Sequence, residues 1–584
     1  MERPATKYVA GLLHYGRMIF MMVNKIRTLL ETSLETLSTE TNPFIVEVPN
    51  EGDKGDYSTN VAMTIAKKVG KNPKEVADAI VDEINKNKPQ EIAKIEVAGA
   101  GFINFYLSRD FISKKTKDAL DDKYGKNNEH NGEKILIEYT DPNPFKEFHI
   151  GHLMSNAVGE SISRLLEFSG AEVKRACYQG DIGLHVAKAI WAMTNSQELT
   201  GGSAIGDFGK AYALGSKAYE NNETAKKEII ELNKKIYNHT DQNINQIYEN
   251  GLKTSKAYFE YMFERLGTKF DYYFFESETG PIGVDIIQKN KGVFESSDGA
   301  VVYKGEKVGL HTRVFISSEG LPTYEAKELG LFKEKLNRWN PDSLVVITGN
   351  EIKDYFKVVL SVAGEIAELK DISQKTKHIS HGMLRLPSGK MSSRTGDVIT
   401  AEALLNEVSE KLKDKIDDTG LLDAVSVGAV KYSMLKQEAG KDIIFDFEKS
   451  LSFVGDSGPY LQYTYARCLS LLKKGEEEDI QVGGPLSRVP LDSGGDDSLG
   501  TLKLERVLLH FPEVVEKAVQ NYAPHHIANY LHVLASTFNT FYGRSQIVEK
   551  DNPESGYKLL VTNAVAKTLE KGLYLLGMQA PDKM

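Results

Sequence analysis

The spacing of apolar residues predicts a small α+β unit near the start of the chain. Apolar positions recur with the period of an amphipathic helix over residues 22–38 and 59–85. Two further apolar segments, Ile92–Val97 and Gly101–Leu107, are joined by a short Ala/Gly turn and predict a pair of strands. We therefore expect residues 21–125 to form a separate α+β domain.

The pattern changes after a polar linker at Asp121–Gly132. A compact apolar strand is predicted at Ile135–Tyr139, and the sequence Asp141–Pro144 ends it. A helical period then runs over about residues 149–168, and a second strand follows at Val173–Tyr178. Strand, loop, helix and strand in this order are typical of a βαβ unit in a parallel sheet.

Later segments carry mixed signals and then become helical. Residues 195–305 are helical and charged at first and strand-like near their end, which favours an insertion into the sheet domain. Strand signals return at Val308–Phe315 and Ser343–Thr348. From about residue 422 onward apolar residues recur at helical spacing, and a helical bundle over 422–584 is the simplest interpretation.

Composition places this chain of 584 residues among ordinary globular proteins, and its length predicts three or four domains. Cys177 and Cys468 are the only cysteines. They form no CxxC pair, which excludes a cysteine zinc site and favours a reducing compartment. No run of 18 apolar residues occurs, so no membrane span is expected.

The first residues form an apolar stretch that does not predict secretion. His14 and Arg17 interrupt the apolar residues of Tyr8–Val23. Because a secretory signal has an unbroken apolar core, we interpret residues 1–20 as a first helix or an added extension.

The net charge of −10 argues mildly against binding of nucleic acid, because phosphate groups attract positive charge. A local basic face is still compatible with this total. The sequence leaves open whether Lys67, Lys68, Lys71 and Lys74 form such a face or a solvated helix surface.

The tetrapeptide His149-Ile150-Gly151-His152 follows a predicted strand and opens a predicted helix. A helix N-terminus offers free N–H groups to a phosphate, and a glycine there lets a nucleotide approach the backbone. The two imidazoles can donate hydrogen bonds to phosphate oxygens. The alternative is a pair of capping or metal-binding histidines, although no third metal ligand is evident.

A second motif, Gly389-Lys390-Met391-Ser392-Ser393-Arg394-Thr395-Gly396, is a polar and cationic loop. Lys390 and Arg394 on such a loop are suited to clamping a polyphosphate during attack at its α-phosphorus. A loop of this composition is common on protein surfaces. The combination with the two histidines upstream is what makes it specific.

These motifs correspond to the HIGH and KMSKS signatures of class I aminoacyl-tRNA synthetases, and the chain resembles the arginyl-tRNA synthetase family over most of its length. The further blocks that carry the resemblance are Gly55–Asn60, Asp141–Lys146, Gln179–Gly183, Leu451–Phe453, Gly458–Tyr463, Ala466–Arg467 and Gly572–Gly577.

The resemblance implies three domains and a reaction. The domains are an N-terminal α+β domain over 21–125 that contacts tRNA, a class I catalytic domain of the Rossmann type over 133–421 with a helical insertion near 195–305, and an all-α C-terminal domain over 422–584 that binds the anticodon. The reaction joins L-arginine to tRNA(Arg) through an arginyl-adenylate, with ATP as a substrate and Mg²⁺ bridging its phosphates.

The resemblance also implies roles for single residues, and no resident metal is expected. The candidates for catalysis are Lys146, His149, Gly151, His152, Lys390, Ser392 and Arg394. Those for ATP binding are His149, Gly151, His152, Lys390 and Met391. Those for arginine binding are Glu138, Asn143, Asp181, Tyr324, Glu328, Asn350 and Glu351. Those for tRNA binding are Asn60, Tyr460, Gln462, Tyr463, Arg467 and Met584.

Two positions depart from the family pattern. Glu328 stands where the family often has aspartate, so its charge is kept and its contact with the guanidinium is less defined. Ser393 stands where the KMSKS signature has its second lysine. The resemblance implies that a lysine at the position of Lys146 compensates for this change.

Three alternative functions differ in their chemistry. A small-molecule nucleotidyltransferase would not need the helical C-terminal part, and a cysteinyl-tRNA synthetase would need a zinc site. A tRNA-binding paralogue without activity would lose the two signatures. A cytoplasmic monomer without zinc and without membrane attachment is the expectation that the resemblance supports.

Overall fold

The computed structural model describes residues 21–37, 39, 42–49, 54–196, 205–385, 400–483 and 500–584. Its N-terminal part is an antiparallel sheet with helices packed against it. The elements are α1 (Met21–Thr36), β1 (Val46–Glu47), β2 (Tyr57–Thr59), α2 (Val61–Val69), α3 (Pro73–Asn85), β3 (Ile92–Ala98), β4 (Phe102–Leu107) and α4 (Arg109–Asp118). The strand order is β1-β2-β4-β3, and the antiparallel pairing of β3 with β4 confirms the predicted strand pair.

The predicted helix over 59–85 is wrong in one respect, because the chain forms two helices there. Gly70 ends α2 with a left-handed backbone (φ 66°), and Asn72 caps α3 by accepting a hydrogen bond from the N–H of Lys74. Pro73 occupies the first turn of α3, where its missing N–H is not needed. Apolar residues of both helices pack in one core, so the apolar pattern continues across the break.

The central part of the chain is built on a five-stranded parallel sheet. The elements of this part of the chain are β5 (Lys134–Glu138), α5 (Ile150–Phe168), β6 (Glu172–Gln179), α6 (Leu184–Asn195), α7 (Ile205–Asn221), α8 (Glu223–Asn238), α9 (Gln242–Arg265), β7 (Tyr272–Phe275), α10 (Glu276–Lys289), β8 (Glu295–Ser297), β9 (Ala300–Tyr303), β10 (Arg313–Ile316), α11 (Tyr324–Arg338), β11 (Ser343–Gly349), α12 (Lys353–Glu365), α13 (Lys370–Lys375), β12 (Thr376–His381) and β13 (Leu384–Arg385). The strand order β12-β11-β5-β6-β7 contains the predicted βαβ unit.

Both faces of this sheet are covered, as alternation along β5 shows. Ile135 and Ile137 belong to one apolar core and Leu136 to the other. The strand order reverses between β5 and β11. In open α/β sheets, ligands bind at such a reversal, beyond the carboxyl ends of the strands.

The segment 195–305 differs from the predicted insertion, because it contains β7. Tyr272–Phe275 is a strand of the parallel sheet and pairs with β6, so α6 to α9 form the crossover between the two strands. Four consecutive aromatic residues are too short a run to separate from a helical segment in the sequence. The strand predicted at Val308–Phe315 begins later, at Arg313, because a 3-10 turn occupies Gly305–Val308.

The remaining chain is mostly helical. Its elements are α14 (Ala401–Leu412), α15 (Thr419–Leu435), β14 (Ile443–Ile444), α16 (Phe447–Ser450), α17 (Gly458–Glu477), α18 (Leu502–Leu509), α19 (Phe511–Asn521), α20 (His525–Arg544) and α21 (Ser555–Leu575). Within the described ranges, every helix falls short of the length and apolarity that crossing a membrane requires.

The C-terminal helices share an apolar core with the sheet domain. Leu153 of α5, Leu534 of α20 and Leu573 of α21 all belong to it. The Ser161 hydroxyl of α5 donates to the carbonyl of Leu575 (2.7 Å). Removal of these helices would expose the core around α5, so the two parts depend on each other for stability.

The N-terminal domain is fixed to the C-terminal helices by residues of the block Gly55–Asn60. Asp56 is buried and lies 2.7 Å from the guanidinium of Arg506. The Tyr57 hydroxyl donates to Glu513 (2.6 Å). Asp56 and Tyr57 therefore position this domain.

Candidate active site

Helix α5 begins at the sheet edge where β5 ends, and a histidine caps its first turn. The Nδ1 of His149 accepts hydrogen bonds from the N–H groups of Gly151 (3.1 Å) and His152 (3.4 Å). In return, the Nδ1 of His152 accepts from the N–H of His149 (3.3 Å), which completes a capping box. Gly151 is required here because a Cβ would lie 2.9 Å from the His149 ring.

Capping also fixes the tautomer of both imidazoles. A nitrogen that accepts a hydrogen bond carries no proton, so each neutral ring keeps its proton on Nε2. Burial lowers the pKa of His149 to about 4, and the charge of Lys146 acts in the same direction. Burial also lowers the pKa of His152 well below its usual value. Both rings are therefore neutral at about pH 7 and offer Nε2–H as a donor.

The loop between β5 and α5 holds three residues in the left-handed region, with φ of 81° at Thr140, 43° at Asp141 and 61° at Phe145. This backbone is most unfavourable for the β-branched Thr140 and persists only where neighbours enforce it. The N–H of Thr140 donates to Ser155 (2.9 Å), and its hydroxyl accepts from Asn156 (3.1 Å). Both partners belong to α5, so the loop and the helix are fixed together.

Lys146 lies in this loop, three residues before the capping histidine. Its Nζ is 4.1 Å from the ring centre of Tyr212 on α7. The ammonium is close enough to lower the pKa of His149, His152 and His185, in each case after burial as the larger cause. Lys146 therefore lies where α5, α6 and α7 meet.

The second motif, residues 389–396, lies outside the described residues, but the chain on its C-terminal side is described. Thr400 forms an isolated antiparallel bridge with His149, and the N–H of Ala401 donates to the carbonyl of Phe148 (2.8 Å). The chain therefore returns from this segment directly beside the first motif. The candidates that lie outside the described residues are Lys390, Met391, Ser392 and Arg394.

A cluster of buried charges lies at the carboxyl ends of β5 and β7. Glu138 ends β5, and its Oε2 is 2.8 Å from the Nζ of Lys335, an ionic contact without the alignment of a hydrogen bond. Glu276 and Lys327 form a second buried pair at 2.6 Å. Glu328 is 7% exposed, and its Oε1 has no hydrogen-bond partner among the described residues. Three carboxylates face two ammonium groups, so these five groups have one positive charge too few.

The pKa of Glu328 expresses this deficit. Burial, together with the charges of Glu138 and Glu276, raises the pKa of Glu328 to about 8, and among the described residues only Lys335 opposes the rise. Burial and the charge of Glu138 likewise raise the pKa of Asp141. An additional cation would favour the ionised carboxylates, and a guanidinium supplies both the charge and a fork of N–H donors.

Two further arginine candidates lie at the edge of this cluster. Asn143 packs over the backbone of Gly180, where its Oδ1 leaves no room for a Cβ. Tyr324 opens α11, one turn before Glu328, and is 59% exposed, with its ring centre 5.4 Å from the Nζ of Lys327.

The prediction for Asp181 stays a prediction, and the structure gives this residue several partners within the protein. Its carboxylate accepts hydrogen bonds from the N–H of Ser277 (2.9 Å), the hydroxyl of Ser277 (2.7 Å) and the hydroxyl of Tyr248 (3.2 Å). Through these bonds Asp181 positions the start of α10. Asn350 and Glu351 are exposed beyond β11, and Asn350 donates to the carbonyl of Gly440 (3.0 Å).

Sequence reasoning missed Lys335, Lys327, Glu276 and His185. Lys335 follows Glu328 by seven residues, which places both on one face of α11. A lysine on the apolar face of a helix is a signal that could have identified it. Glu276 gave no signal, because its pairing depends on where α10 and α11 pack.

Four of the predicted tRNA-binding residues line one surface pocket of about 610 Å³, namely Tyr460, Tyr463, Arg467 and Met584. The guanidinium of Arg467 lies 4.7 Å from the ring centres of both Tyr463 and Tyr542. Aromatic faces beside a cation are suited to stacking an unpaired base.

The side chains of the other two tRNA candidates make hydrogen bonds within the protein. Gln462 is fully buried and donates to the carbonyl of Gln579 (2.9 Å), which corrects its prediction as a tRNA contact. Two residues along a helix point to opposite sides, so Gln462 turns inward when Tyr460 turns outward. The side chain of Asn60 accepts from the N–H of Ile45 (3.0 Å) and fixes a turn of the N-terminal domain.

Three family models match this chain. "Arginyl tRNA synthetase N terminal domain" matches residues 24–107, "tRNA synthetases class I (R), catalytic domain" matches 116–447, and "DALR anticodon binding domain" matches 461–584. The catalytic model alone covers more than half of the chain.

Curated relatives and a solved structure agree with these models. The arginine–tRNA ligase of Fusobacterium nucleatum is 30% identical over 562 residues, which cover 93% of this chain and 96% of that relative. The arginine–tRNA ligase of Borrelia hermsii is 30% identical over 589 residues, covering 96% and 98%. The structure of Thermus thermophilus arginyl-tRNA synthetase has a TM-score of 0.76 at 22% identity, covers 97% of this chain and 100% of its own, and shows the fold.

Proposed function

Because the chain belongs to the class I arginyl-tRNA synthetase family and is an arginine–tRNA ligase, we propose that it works through an arginyl-adenylate. The arginine carboxylate attacks the α-phosphorus of ATP in line, and pyrophosphate leaves. A hydroxyl of the terminal tRNA ribose then attacks the carbonyl carbon, and AMP leaves. The buried cluster of Glu138, Glu276 and Glu328, which has one cation too few, supports arginine as the amino acid.

ATP is proposed to bind over the start of α5 as its magnesium complex, with the metal bridging phosphates as part of the substrate. Two neutral imidazoles with Nε2–H donors support this position, because they can bind the charge that develops on the phosphate oxygens. Among the described residues, no group of three His, Cys, Asp or Glu side chains could hold a metal ion.

The test is ATP–pyrophosphate exchange with purified protein, with and without tRNA. We expect exchange that depends on arginine. Exchange that depends on cysteine would support a cysteinyl-tRNA synthetase. Exchange that depends on another small molecule that accepts the nucleotide would support a nucleotidyltransferase. No exchange and no charging under either condition would favour the inactive paralogue.

The pocket around Tyr460 is proposed to bind the anticodon, and the N-terminal domain is proposed to contact the outer corner of the tRNA. The exposed lysines at the turn between α2 and α3 support the second proposal: Lys67, Lys68, Lys71 and Lys74. A cytoplasmic location and a monomeric state are also proposed, and light scattering after gel filtration tests the latter.

Tyr460→Ala is expected to raise the KM for tRNA in the charging assay by about 5- to 150-fold, because one stacked base contributes about 1–3 kcal/mol. The KM values for arginine and for ATP should change less. Tyr460→Phe keeps the ring and loses only the hydroxyl that accepts from Asn539, so it should retain the KM of the wild type. An unchanged KM for tRNA in Tyr460→Ala would contradict the proposed role of this pocket.

Arginine binding is expected to tighten as the pH rises from about 6 to about 8. The pKa of Glu328 is about 8 in the free protein, so the carboxyl must lose a proton before it can pair with a guanidinium. The dissociation constant should fall by up to about tenfold per pH unit and level off above about pH 8. Calorimetric titration with arginine measures this, and Glu328→Gln should remove the slope. The same slope in Glu328→Gln would assign the titration to another group.

A further inference from the structure

Lys335 is completely buried in the middle of the charged cluster. It lies on α11 with 0% of its side chain exposed, and its Nζ is 2.8 Å from Glu138 at the end of β5. The ring centre of Phe332 lies 5.5 Å from the same atom. A buried ammonium is unfavourable unless a carboxylate compensates it, so its position depends on the acidic groups around it.

Several ionisable groups face Lys335 from different elements. They are Glu138 on β5, Asp141 on the loop before α5 and Glu328 on α11. Glu276 on α10 acts on Glu328 and is paired with Lys327 at 2.6 Å. The charge of Lys335 acts against burial on both Asp141 and Glu328. One ammonium therefore serves three carboxylates.

We propose that Lys335 is a positioning residue of the arginine site, whose ammonium pairs with Glu138 and favours the ionised form of Glu328, so that the buried pocket can accept the substrate guanidinium as the second cation. This inference rests on the proposed function and extends it to a residue that does not touch the substrate. Buried carboxylates without any cation take up protons, and a neutral acid gives a guanidinium no ionic partner.

The test is the KM for arginine in ATP–pyrophosphate exchange, measured across pH. In Lys335→Met, Glu328 loses the cation that opposes the effect of burial, and its pKa rises further above about 8. One unit of further rise makes the KM about tenfold higher than in the wild type at about pH 7, with the ratio shrinking by about pH 9. The kcat and the KM for ATP should stay within about twofold, because the pocket acts on amino-acid binding.

Two variants serve as controls. Lys333→Met removes a half-buried lysine of the same helix that pairs with Glu368 at 2.8 Å, and it should leave the KM for arginine unchanged at every pH. Lys335→Arg keeps the cation, so its profile should follow the wild type more closely than Lys335→Met does. A ratio of KM values that is constant with pH, or a loss confined to kcat, would overturn the proposal.

If Lys335→Met folds poorly, the Tm of the wild type and of this variant, measured across pH, tests the proposal instead. The pKa of Glu328 is raised above its unfolded value, so its contribution to stability is present at low pH and is lost as the pH rises through the folded value. Without Lys335 the difference in Tm from the wild type should therefore widen from about pH 6 to about pH 9. A constant difference would assign Lys335 to packing alone. Absence of arginine-dependent exchange in the wild type would instead reject the proposed function.

Discussion

Lys146→Ala is expected to slow adenylate formation by about 100- to 1,000-fold, because one cation in a site shielded from water contributes about 2.7–4 kcal/mol to the transition state. Lys146 lies close enough to lower the pKa of His149 and His152, while Ser393 provides no charge at the position where the signature has lysine. The loss should fall on kcat, with little change in the KM for ATP, since the interaction strengthens as charge develops.

A comparison of variants tests this compensation. Adding Ser393→Lys to Lys146→Ala should recover part of the rate, because it returns a cation at the position where the signature has its second lysine. Lys188→Ala is the matched control, since Lys188 makes a similar contact with a tyrosine of α7, at 4.5 Å from the ring centre of Tyr219. If Lys146→Ala runs near the wild-type rate, or if the second change restores nothing, the charge must come from elsewhere, with Arg394 the next candidate.

Citrulline, the neutral isostere of arginine, is expected to be activated about 150- to 5,000-fold less efficiently than arginine. At a pH above about 8, where Glu328 is ionised, a ligand without charge leaves Glu138 and Glu328 buried against a single cation, Lys335, and an unpaired buried charge costs about 3–5 kcal/mol. Glu328→Gln should reduce kcat/KM for arginine by about 12- to 160-fold, the loss of one charged hydrogen bond of about 1.5–3 kcal/mol. Because citrulline gains nothing from that charge, discrimination should shrink with it.

The assay is exchange with each amino acid for the wild type and for two variants. Glu334→Gln is the matched control, because Glu334 lies on the same helix and pairs with Arg338 outside the pocket (3.2 Å). It should keep the discrimination of the wild type. Equal activation of citrulline and arginine by the wild type would reject the assignment of the pocket to these carboxylates.

The sequence alone determined what local pattern and short motifs carry. The period of apolar residues gave β5, α5 and β6 in order, because each of these elements covers its core with its own side chains. The positions of the two histidines followed from the strand and the helix on either side of them. The resemblance to the arginine enzymes rested on the same local blocks, and the family models and relatives confirm it.

Only the tertiary structure decided which distant residues meet. The pairing of Glu138 with Lys335, the bridge between His149 and Thr400 and the place of Tyr272–Phe275 in the sheet each join segments that are far apart in sequence. A side chain that is buried by another element cannot be identified from the residues next to it in sequence, and the burial of Gln462 is an example. Charges behave in the same way, because the burial and partners that set their pKa come from the packing of whole helices and strands.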